Sequence, residues 1–228
     1  MDRKISIAID GPAGAGKSTI SKLLALRFGL EYVDTGAMYR GVALAALRRG
    51  IPEQDADRLT ALAQELDFAF RVETPGGDTL INHVFLNGED VTDAIRAPEA
   101  GNMASVVSAI SGVRRVLVAL QQALGARGGV VMEGRDICNV VLPRAEAKFF
   151  LTASDQERAR RRHLELEQKG TPQPFDTVLT QIRERDHRDS TRADSPLQPA
   201  PDGVILDSDG KSIEQVVDEM AAFIEKKM

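Results

Sequence analysis

The clearest chemical signal in the sequence is a glycine-rich run with the spacing of a phosphate-binding P-loop, G-x-x-x-x-G-K-[ST]. The run consists of Gly11, Pro12, Ala13, Gly14, Ala15, Gly16, Lys17, Ser18 and Thr19. Glycines allow the backbone to wrap around a phosphate and to direct several N–H groups at the anion. In such a loop the lysine reaches the β- and γ-phosphates, and the hydroxyl of Ser18 binds Mg²⁺. The sequence therefore predicts a protein that binds a nucleoside triphosphate.

Arginines from several segments form a second chemical signal. They are Arg40, Arg135, Arg158, Arg185 and Arg192. When a phosphoryl group passes to a second anionic nucleotide, the donor and acceptor phosphates repel each other and must be held in line. Guanidinium groups suit this task because each can bind a phosphate in bidentate fashion and stabilise spreading charge. A hydrolase needs one such group, so this supply of arginines favours transfer to a phosphate.

The P-loop alone leaves the reaction open, because hydrolysing switches, motors and kinases share it. A switch or binding module that hydrolyses GTP slowly is one alternative, although the sequence has no Asn-Lys-x-Asp string of the kind that binds guanine. A kinase for UMP or for another small acceptor such as shikimate is a second alternative. A comparison of reaction rates with different acceptors separates these possibilities.

A parallel sheet is needed to bring these residues together. Short apolar runs predict strands over residues 4–10, 31–34, 129–132, 148–151 and 203–207. Helical patterns lie between and after them, so the fold class is α/β, with a five-stranded and mostly parallel sheet flanked by helices. The last helix is predicted by a capping box, Ser212 and Gln215, and by an apolar stripe that starts at Ile213. Ligands of such sheets bind beyond the carboxyl ends of the strands. Gly11 and Thr35 each follow a predicted strand directly, and Arg135 follows the strand 129–132 after Glu133 and Gly134.

Two segments interrupt the alternation of strands and helices. Residues 68–93 alternate in polarity around a turn at Thr74–Asp78, which predicts a small antiparallel insertion. Residues 154–175 begin with a predicted capping box, Ser154 and Glu157, and continue as an arginine-rich helix. We expect this segment to be a lid that brings Arg158 onto the γ-phosphate and excludes water, with a plain solvated helix as the alternative.

Composition excludes several classes of protein. The 228 residues include 29 lysines and arginines and 34 acidic residues, and a formal net charge of −5 argues against polymeric nucleic acid and anionic membranes as partners. Cys138 is the single cysteine, so neither a disulfide framework nor a cysteine-rich metal site is expected. No apolar stretch approaches the ~18 residues of a membrane span, and the N-terminus lacks a signal-peptide pattern. We expect one cytoplasmic, monomeric domain over residues 1–228.

Three further strings extend the P-loop signal to a family. They are Asp34-Thr35-Gly36-Ala37-Met38-Tyr39-Arg40, Gly134-Arg135-Asp136 and Arg185-Asp186-His187-Arg188-Asp189-Ser190-Thr191-Arg192. With the P-loop and in this order, they make the whole chain resemble bacterial cytidylate kinase, a nucleoside monophosphate kinase. The resemblance implies an adenylate-kinase-like P-loop fold. It also implies that ATP and CMP or dCMP react, with Mg²⁺, to give ADP and CDP or dCDP.

The same resemblance implies roles for individual residues. The acceptor phosphate would be held by Arg40, Arg135 and Arg192, and the cytosine edge would be read by Ser105, Arg114 and Asp136. The ribose would meet Arg185 and Asp189, with Thr35 and Tyr39 close by. The catalytic groups would be Lys17, Arg135, Arg192 and Arg158. Residues 35–115, with the β insertion, would form the monophosphate-binding arm.

Elementary chemistry agrees with two of these assignments. A carboxylate such as Asp136 accepts a hydrogen bond from the exocyclic amine of cytosine, whereas uracil presents a carbonyl at that position. Arg185 and Asp189 are four residues apart and Arg192 is three further on, so a helix that continues through them would put all three on one face. No general base is required, because the acceptor phosphate is already an anion.

Overall fold

The computed structural model describes residues 5–77 and 79–228, in which strands and helices alternate along most of the chain. The strands are β1 (Ile7–Asp10), β2 (Glu31–Asp34), β3 (Phe68–Glu73), β4 (Ile81–Leu86), β5 (Glu89–Asp90), β6 (Val130–Gly134), β7 (Ala147–Thr152) and β8 (Val204–Asp207). The helices are α1 (Lys17–Phe28), α2 (Thr35–Arg48), α3 (Ala56–Glu65), α4 (Pro98–Val107), α5 (Ser111–Gly125), α6 (Asp155–Gln168), α7 (Phe175–Thr191) and α8 (Ile213–Glu225). Lys4 of the predicted first strand and Asp78 of the predicted turn lie outside the described residues.

A five-stranded parallel sheet in the order β2-β6-β1-β7-β8 confirms the predicted α/β fold class. The register pairs Asp10 with Gly134 and Asp34 with Glu133. The carboxyl ends of β1, β2 and β6 therefore meet at one edge, and the P-loop and the arginine-bearing turn after β6 both begin there. The prediction that every strand is buried is wrong for β8, because this strand lies at the sheet edge and leaves Ile205 60% exposed.

The predicted insertion is a three-stranded antiparallel sheet in the order β3-β4-β5. It packs on α2 through a close approach of Phe68 to Gly41, where a Cβ would lie 2.5 Å from the ring. Glycine is therefore needed at this point of the helix. The contact joins β3 to the helix that starts at the end of β2, so the insertion braces the chain beside the site.

The apolar side chains form two main clusters. One includes Met38, Leu59 and Leu117 and lies among α2, α3, α4 and α5. The other includes Ile9 and Phe149 and lies between the parallel sheet and the helices α1 and α8. Within the described residues no single helix is long and apolar enough to cross a membrane; only α4 and α5 taken together pass such a test, and they are bent by 100°.

Two predicted capping boxes have different outcomes. At α8 the prediction is confirmed, because Ser212 and Gln215 cap the helix reciprocally, although Ile213 of the predicted apolar stripe is 46% exposed. At α6 only half of the box forms. The Ser154 hydroxyl accepts the N–H of Glu157, but the N–H of Ser154 donates to Asp209. The Glu157 carboxylate instead pairs with two arginines of its own helix.

Candidate active site

The P-loop joins β1 to α1, and its lysine folds back over the loop. Lys17 Nζ donates to the carbonyl oxygens of Gly11 at 2.7 Å and Pro12 at 2.8 Å. Burial and the nearby positive charge of Arg135 lower the pKa of Lys17 to about 7. Because an anion in the loop would favour the charged ammonium, Lys17 is poised to gain from the binding of a phosphate.

Three oxygen-bearing side chains lie beside the P-loop. The Tyr32 hydroxyl donates to the buried carboxylate of Glu133, and the Ser18 side chain lies near that carboxylate. Burial, and then the charge of Asp34, raise the pKa of Glu133. Hydroxyl and carboxylate oxygens are ligands that Mg²⁺ prefers, usually few in number and completed by phosphates. The group therefore fits Mg²⁺, and residues 5–77 and 79–228 contain no cluster of three His, Cys, Asp or Glu side chains suited to a protein-only metal site.

Arg185 lies near three other guanidinium groups. Burial and the charges of Arg135, Arg40 and Arg188 lower the pKa of Arg185 to about 10. Arg135 and Arg185 both also act on Lys17. The sheet edge, α2 and α7 thus deliver cations to one place, as the sequence predicted for Arg40, Arg135 and Arg185.

Asp189 supplies part of the negative charge in this group. Its carboxylate accepts a hydrogen bond from Arg135 Nε at 2.9 Å. Burial alone would raise the pKa of Asp189, but the charges of Arg135 and Arg185 outweigh it and the pKa is lowered. Asp189 therefore stays ionised and orients the Arg135 guanidinium.

Asp136 lies between two other arginines. The Nη2 atom of Arg114 donates to Asp136, and Nη2 of Arg192 lies 3.8 Å from the other carboxylate oxygen. All three side chains are at most 6% exposed. Arg114 also lies over the ring of Tyr39, 5.8 Å from its centroid. The predicted base-binding residues Arg114 and Asp136 are thus in direct contact, while Ser105 contacts α7.

The prediction that one helix carries Arg185, Asp189 and Arg192 is wrong at its end. Helix α7 stops at Thr191, and Arg192 is its C-cap with extended backbone angles. The chain turns back there, and Arg192 Nε donates to the carbonyl of Ser195 at 2.8 Å. Arg192 therefore reaches Asp136 because the chain leaves the helix and not because it shares a helix face.

Arg158 lies directly over the P-loop. Its guanidinium donates to the carbonyl oxygens of Ala153 and Ala13 and to the Asp186 carboxylate. At Gly14, which has a φ of 78°, a Cβ would lie 3.1 Å from the Cβ of Arg158. A plain solvated helix is therefore wrong for this residue.

The outer face of α6 does match a solvated helix. Arg160 pairs with Glu157 at 2.7 Å and Arg162 pairs with Glu165 at 2.8 Å, and both arginines are exposed. Apolar contacts of Ala159 and Leu166 with α7 lie on the opposite side. Helix α6 is thus two-faced, with Arg158 on the side of the P-loop.

Two further predicted residues, Thr35 and Tyr39, are buried. The Thr35 hydroxyl, at the start of α2, donates to the carbonyl of Glu133 at 2.8 Å. Tyr39 is 9% exposed, and burial raises the pKa of its hydroxyl to about 12. Both lie beside the charged groups, between the sheet edge and Arg114.

Three residues of the site were missed by the sequence reasoning. Asp10, fully buried, accepts the N–H groups of Ile137 and Cys138, each at 2.8 Å, and so fixes the turn after Asp136. Asp186 holds Arg158, and Arg188 Nε donates to the Ser105 hydroxyl at 3.2 Å. The signal for Asp10 is an acidic residue at the end of a buried strand; Asp186 and Arg188 lie within the arginine-rich string but carry no local mark of their partners.

The sequence is similar to those of known proteins. A family model described as Cytidylate kinase matches residues 7–226. A cytidylate kinase of Solibacter usitatus is 49% identical over 228 residues, which cover 99% of this chain and 94% of that protein. A bifunctional pantoate ligase/cytidylate kinase of Synechococcus sp. (strain CC9605) is 50% identical over 221 residues; the match covers 96% of this chain and 45% of that protein.

Among solved structures, an uncharacterized protein from Eubacterium ventriosum is similar with a TM-score of 0.53. The two sequences are 11% identical, and the match covers 98% of this chain and 99% of that one. At this identity the likeness concerns the fold alone.

Proposed function

The chain belongs to the cytidylate kinase family, and we propose that it transfers the γ-phosphoryl group of ATP to the phosphate of CMP and dCMP. The products are ADP and CDP or dCDP. Curated cytidylate kinases about half identical over nearly the whole chain support this activity, and the kinase family implies ATP as the co-substrate. No observation favours a UMP kinase, a kinase for another small acceptor or a nucleotide-hydrolysing switch.

The observation that carries this proposal is the crowding of cations beside the P-loop. The pKa values of Lys17 and Arg185 are lowered to about 7 and about 10, first by burial and next by the charge of Arg135. Arg185 Nε and Arg192 Nη2 are buried donors with no hydrogen-bond partner. Because buried polar groups are normally paired, these donors support a ligand with several anionic oxygens.

On the donor side, the backbone N–H groups of Gly11–Thr19 and the ammonium of Lys17 bind the triphosphate. We propose Ser18 as the Mg²⁺ ligand, with the carboxylates of Glu133 and Asp34 beside it. When bound, Mg²⁺ neutralises charge on the β- and γ-phosphates. The residues of the chain bind and align the donor.

On the acceptor side, Arg40, Arg135 and Arg192 bind the phosphate of CMP. Two observations support this assignment: the cationic group around Arg185, and the buried Nη2 atom of Arg192, which has no hydrogen-bond partner within the described part of the chain. The ribose contacts Arg185 and Asp189, close to Thr35 and Tyr39. Ser105, Arg114 and Asp136 contact the cytosine edge, where the Asp136 carboxylate accepts from the exocyclic amine.

Catalysis rests on alignment and charge neutralisation, because the acceptor phosphate needs no deprotonation. Lys17, Arg135, Arg192 and Arg158 are the groups that touch the transferred phosphoryl group. We assign residues 35–115 to a monophosphate-binding arm and residues 154–175 to a lid. The separate apolar cluster of α2–α5 supports the arm, and the position of Arg158 over the P-loop supports the lid.

The enzyme acts as a cytoplasmic monomer on small nucleotides and binds neither polymeric nucleic acid nor membranes. Its formal net charge of −5 supports weak affinity for polyanions. Size-exclusion chromatography with light scattering tests the oligomeric state, and a shift to a dimer's mass would overturn the monomer.

An acceptor panel tests the function. ADP formation from ATP is measured with CMP, dCMP, UMP, AMP and shikimate, and without any acceptor. We expect rapid ADP formation with CMP and dCMP and only slow background formation without an acceptor. Equal rates with CMP and UMP would remove the role of Asp136, and ADP formation that needs no acceptor would favour the switch.

A further inference from the structure

We propose that Arg188 is a specificity-determining positioning residue, which orients the Ser105 hydroxyl so that the site accepts cytosine and rejects uracil. This inference rests on the proposed function, since it concerns the base of the acceptor nucleotide. It assigns a role to a residue outside the groups named above as ligands of CMP.

The hydrogen bond between Arg188 and Ser105 has a fixed direction. Arg188 of α7 lies with Nε 3.2 Å from Ser105 Oγ of α4. A guanidinium has no acceptor, so Arg188 is the donor and Ser105 Oγ is the acceptor. With a lone pair of its oxygen used in this way, the Ser105 hydroxyl is left with its hydrogen to donate elsewhere.

Ser105 is largely buried, with 9% of its surface exposed. Its backbone carbonyl already accepts the hydroxyl of Ser108 at 2.9 Å. The bond from Arg188 leaves the side-chain hydroxyl hydrogen of Ser105 for a ligand at the acceptor site, where Ser105 acts as a donor.

The polar groups of the site match the hydrogen-bonding groups of cytosine. Asp136 is held between Arg114 and Arg192 and can only accept. The site thus offers Asp136 as an acceptor and Ser105 as a donor, beside the Arg114 guanidinium, whose buried Nε has no hydrogen-bond partner among the described residues. Cytosine carries a donor amine and an adjacent acceptor ring nitrogen, whereas uracil carries a carbonyl and a ring N–H, so uracil reverses both positions. Leaving buried groups unpaired is the strongest means of rejecting an analogue.

The electrostatic cost of Arg188 agrees with a function. Arg188 is one of the charges that, after burial and Arg135, lower the pKa of Arg185. A neutral side chain at this position would relieve the repulsion within the cationic group. The chain places an obligate donor here in spite of that repulsion.

The test compares kcat/KM for CMP and for UMP in four variants. Arg188→Met removes the donor and keeps the length of the side chain, and we expect the CMP-to-UMP ratio to fall about tenfold. Arg188→Lys keeps an obligate donor, so its ratio should stay within about threefold of the wild type. Ser105→Ala should lower the ratio about as much as Arg188→Met. The double variant that combines these two changes should lower the ratio no further.

Arg183→Met is the matched control. It removes a guanidinium from the same helix, where Arg183 pairs with Asp155 on the surface, and should leave the ratio unchanged. A fall of kcat/KM by one common factor for CMP and UMP in Arg188→Met would overturn the inference, since a purely structural role predicts it. So would a changed ratio in Ser105→Ala with none in Arg188→Met. Absence of CMP phosphorylation by the wild type would instead overturn the proposed function.

Discussion

Arg158 and Asp186 form an ion pair beside the P-loop, with Nη2 of the arginine 2.6 Å from Oδ2 of the aspartate. The same guanidinium donates to the carbonyl of Ala13 within the loop. Because Arg158 belongs to α6 and Asp186 to α7, the pair fixes the inner face of α6 over the loop. We expect Asp186 thereby to position a cation for the triphosphate without being a ligand of it.

We predict that Asp186→Ala lowers kcat about tenfold, because the Arg158 guanidinium loses the carboxylate that orients it. The KM for CMP should change less than about twofold, since Asp186 pairs with Arg158 and not with the proposed ligands of CMP. Steady-state kinetics measure both constants. Asp155→Ala is the control, because it removes the exposed pair of Asp155 with Arg183 between the same helices. A kcat of wild-type size in Asp186→Ala would contradict the positioning role.

A second prediction concerns Gly14, where the backbone is left-handed and the Arg158 side chain is close. Gly14→Ala should cost about 1 kcal/mol of stability from the backbone and should also displace α6, so that kcat falls. Gly170→Ala is the matched control, because Gly170 has a φ of 70° and no atom lies within 4 Å of an added Cβ. Thermal unfolding of both variants measures the cost of the left-handed backbone, and their kcat values show whether α6 is displaced. An equal effect of the two variants on kcat would argue against the contact with Arg158.

Lys17→Ala should abolish transfer to every acceptor, with a loss of at least about a thousandfold, because the buried ammonium is the cation nearest to the P-loop backbone. Lys211→Ala removes an exposed lysine that pairs with Glu219 and serves as the control. Rates with CMP and dCMP are measured in parallel. A loss confined to one acceptor would speak against a role on the triphosphate.

Arg192→Ala should depress kcat more strongly than it changes the affinity for ATP. The Nη2 atom of Arg192 is buried and lacks a hydrogen-bond partner among the described residues, and we expect it to find one on the transferred phosphoryl group. Kinetics with CMP and equilibrium binding of ATP provide the comparison. An effect on KM alone, with kcat preserved, would exclude a contact specific to the transition state.

Local patterns predicted much of the fold and the nucleotide-binding half of the site. The P-loop at Gly11–Thr19 is written in consecutive residues, and the capping box of Ser212 and Gln215 needs only one helix turn. The parallel strands follow from short apolar runs between helical segments. In each case the interacting groups are neighbours in the chain, so spacing carries the information.

The remaining parts of the site depend on contacts between distant segments. Asp10 reaches the turn after Asp136 across the sheet, and Arg188 reaches Ser105 across two helices. The residue spacing also failed to predict the end of α7, because Arg192 lies outside the helix and donates to the carbonyl of Ser195. A helix period predicts which residues share a face, but it does not predict where tertiary contacts end the helix.

The most direct measurement follows the γ-phosphoryl group itself. ATP labelled in that group is incubated with the enzyme and Mg²⁺, with CMP and without it. With CMP the label is expected in the β-phosphate of CDP, and without CMP most of it should stay in ATP. Label released as inorganic phosphate at the same rate in both reactions would contradict a site built to hold two anionic nucleotides.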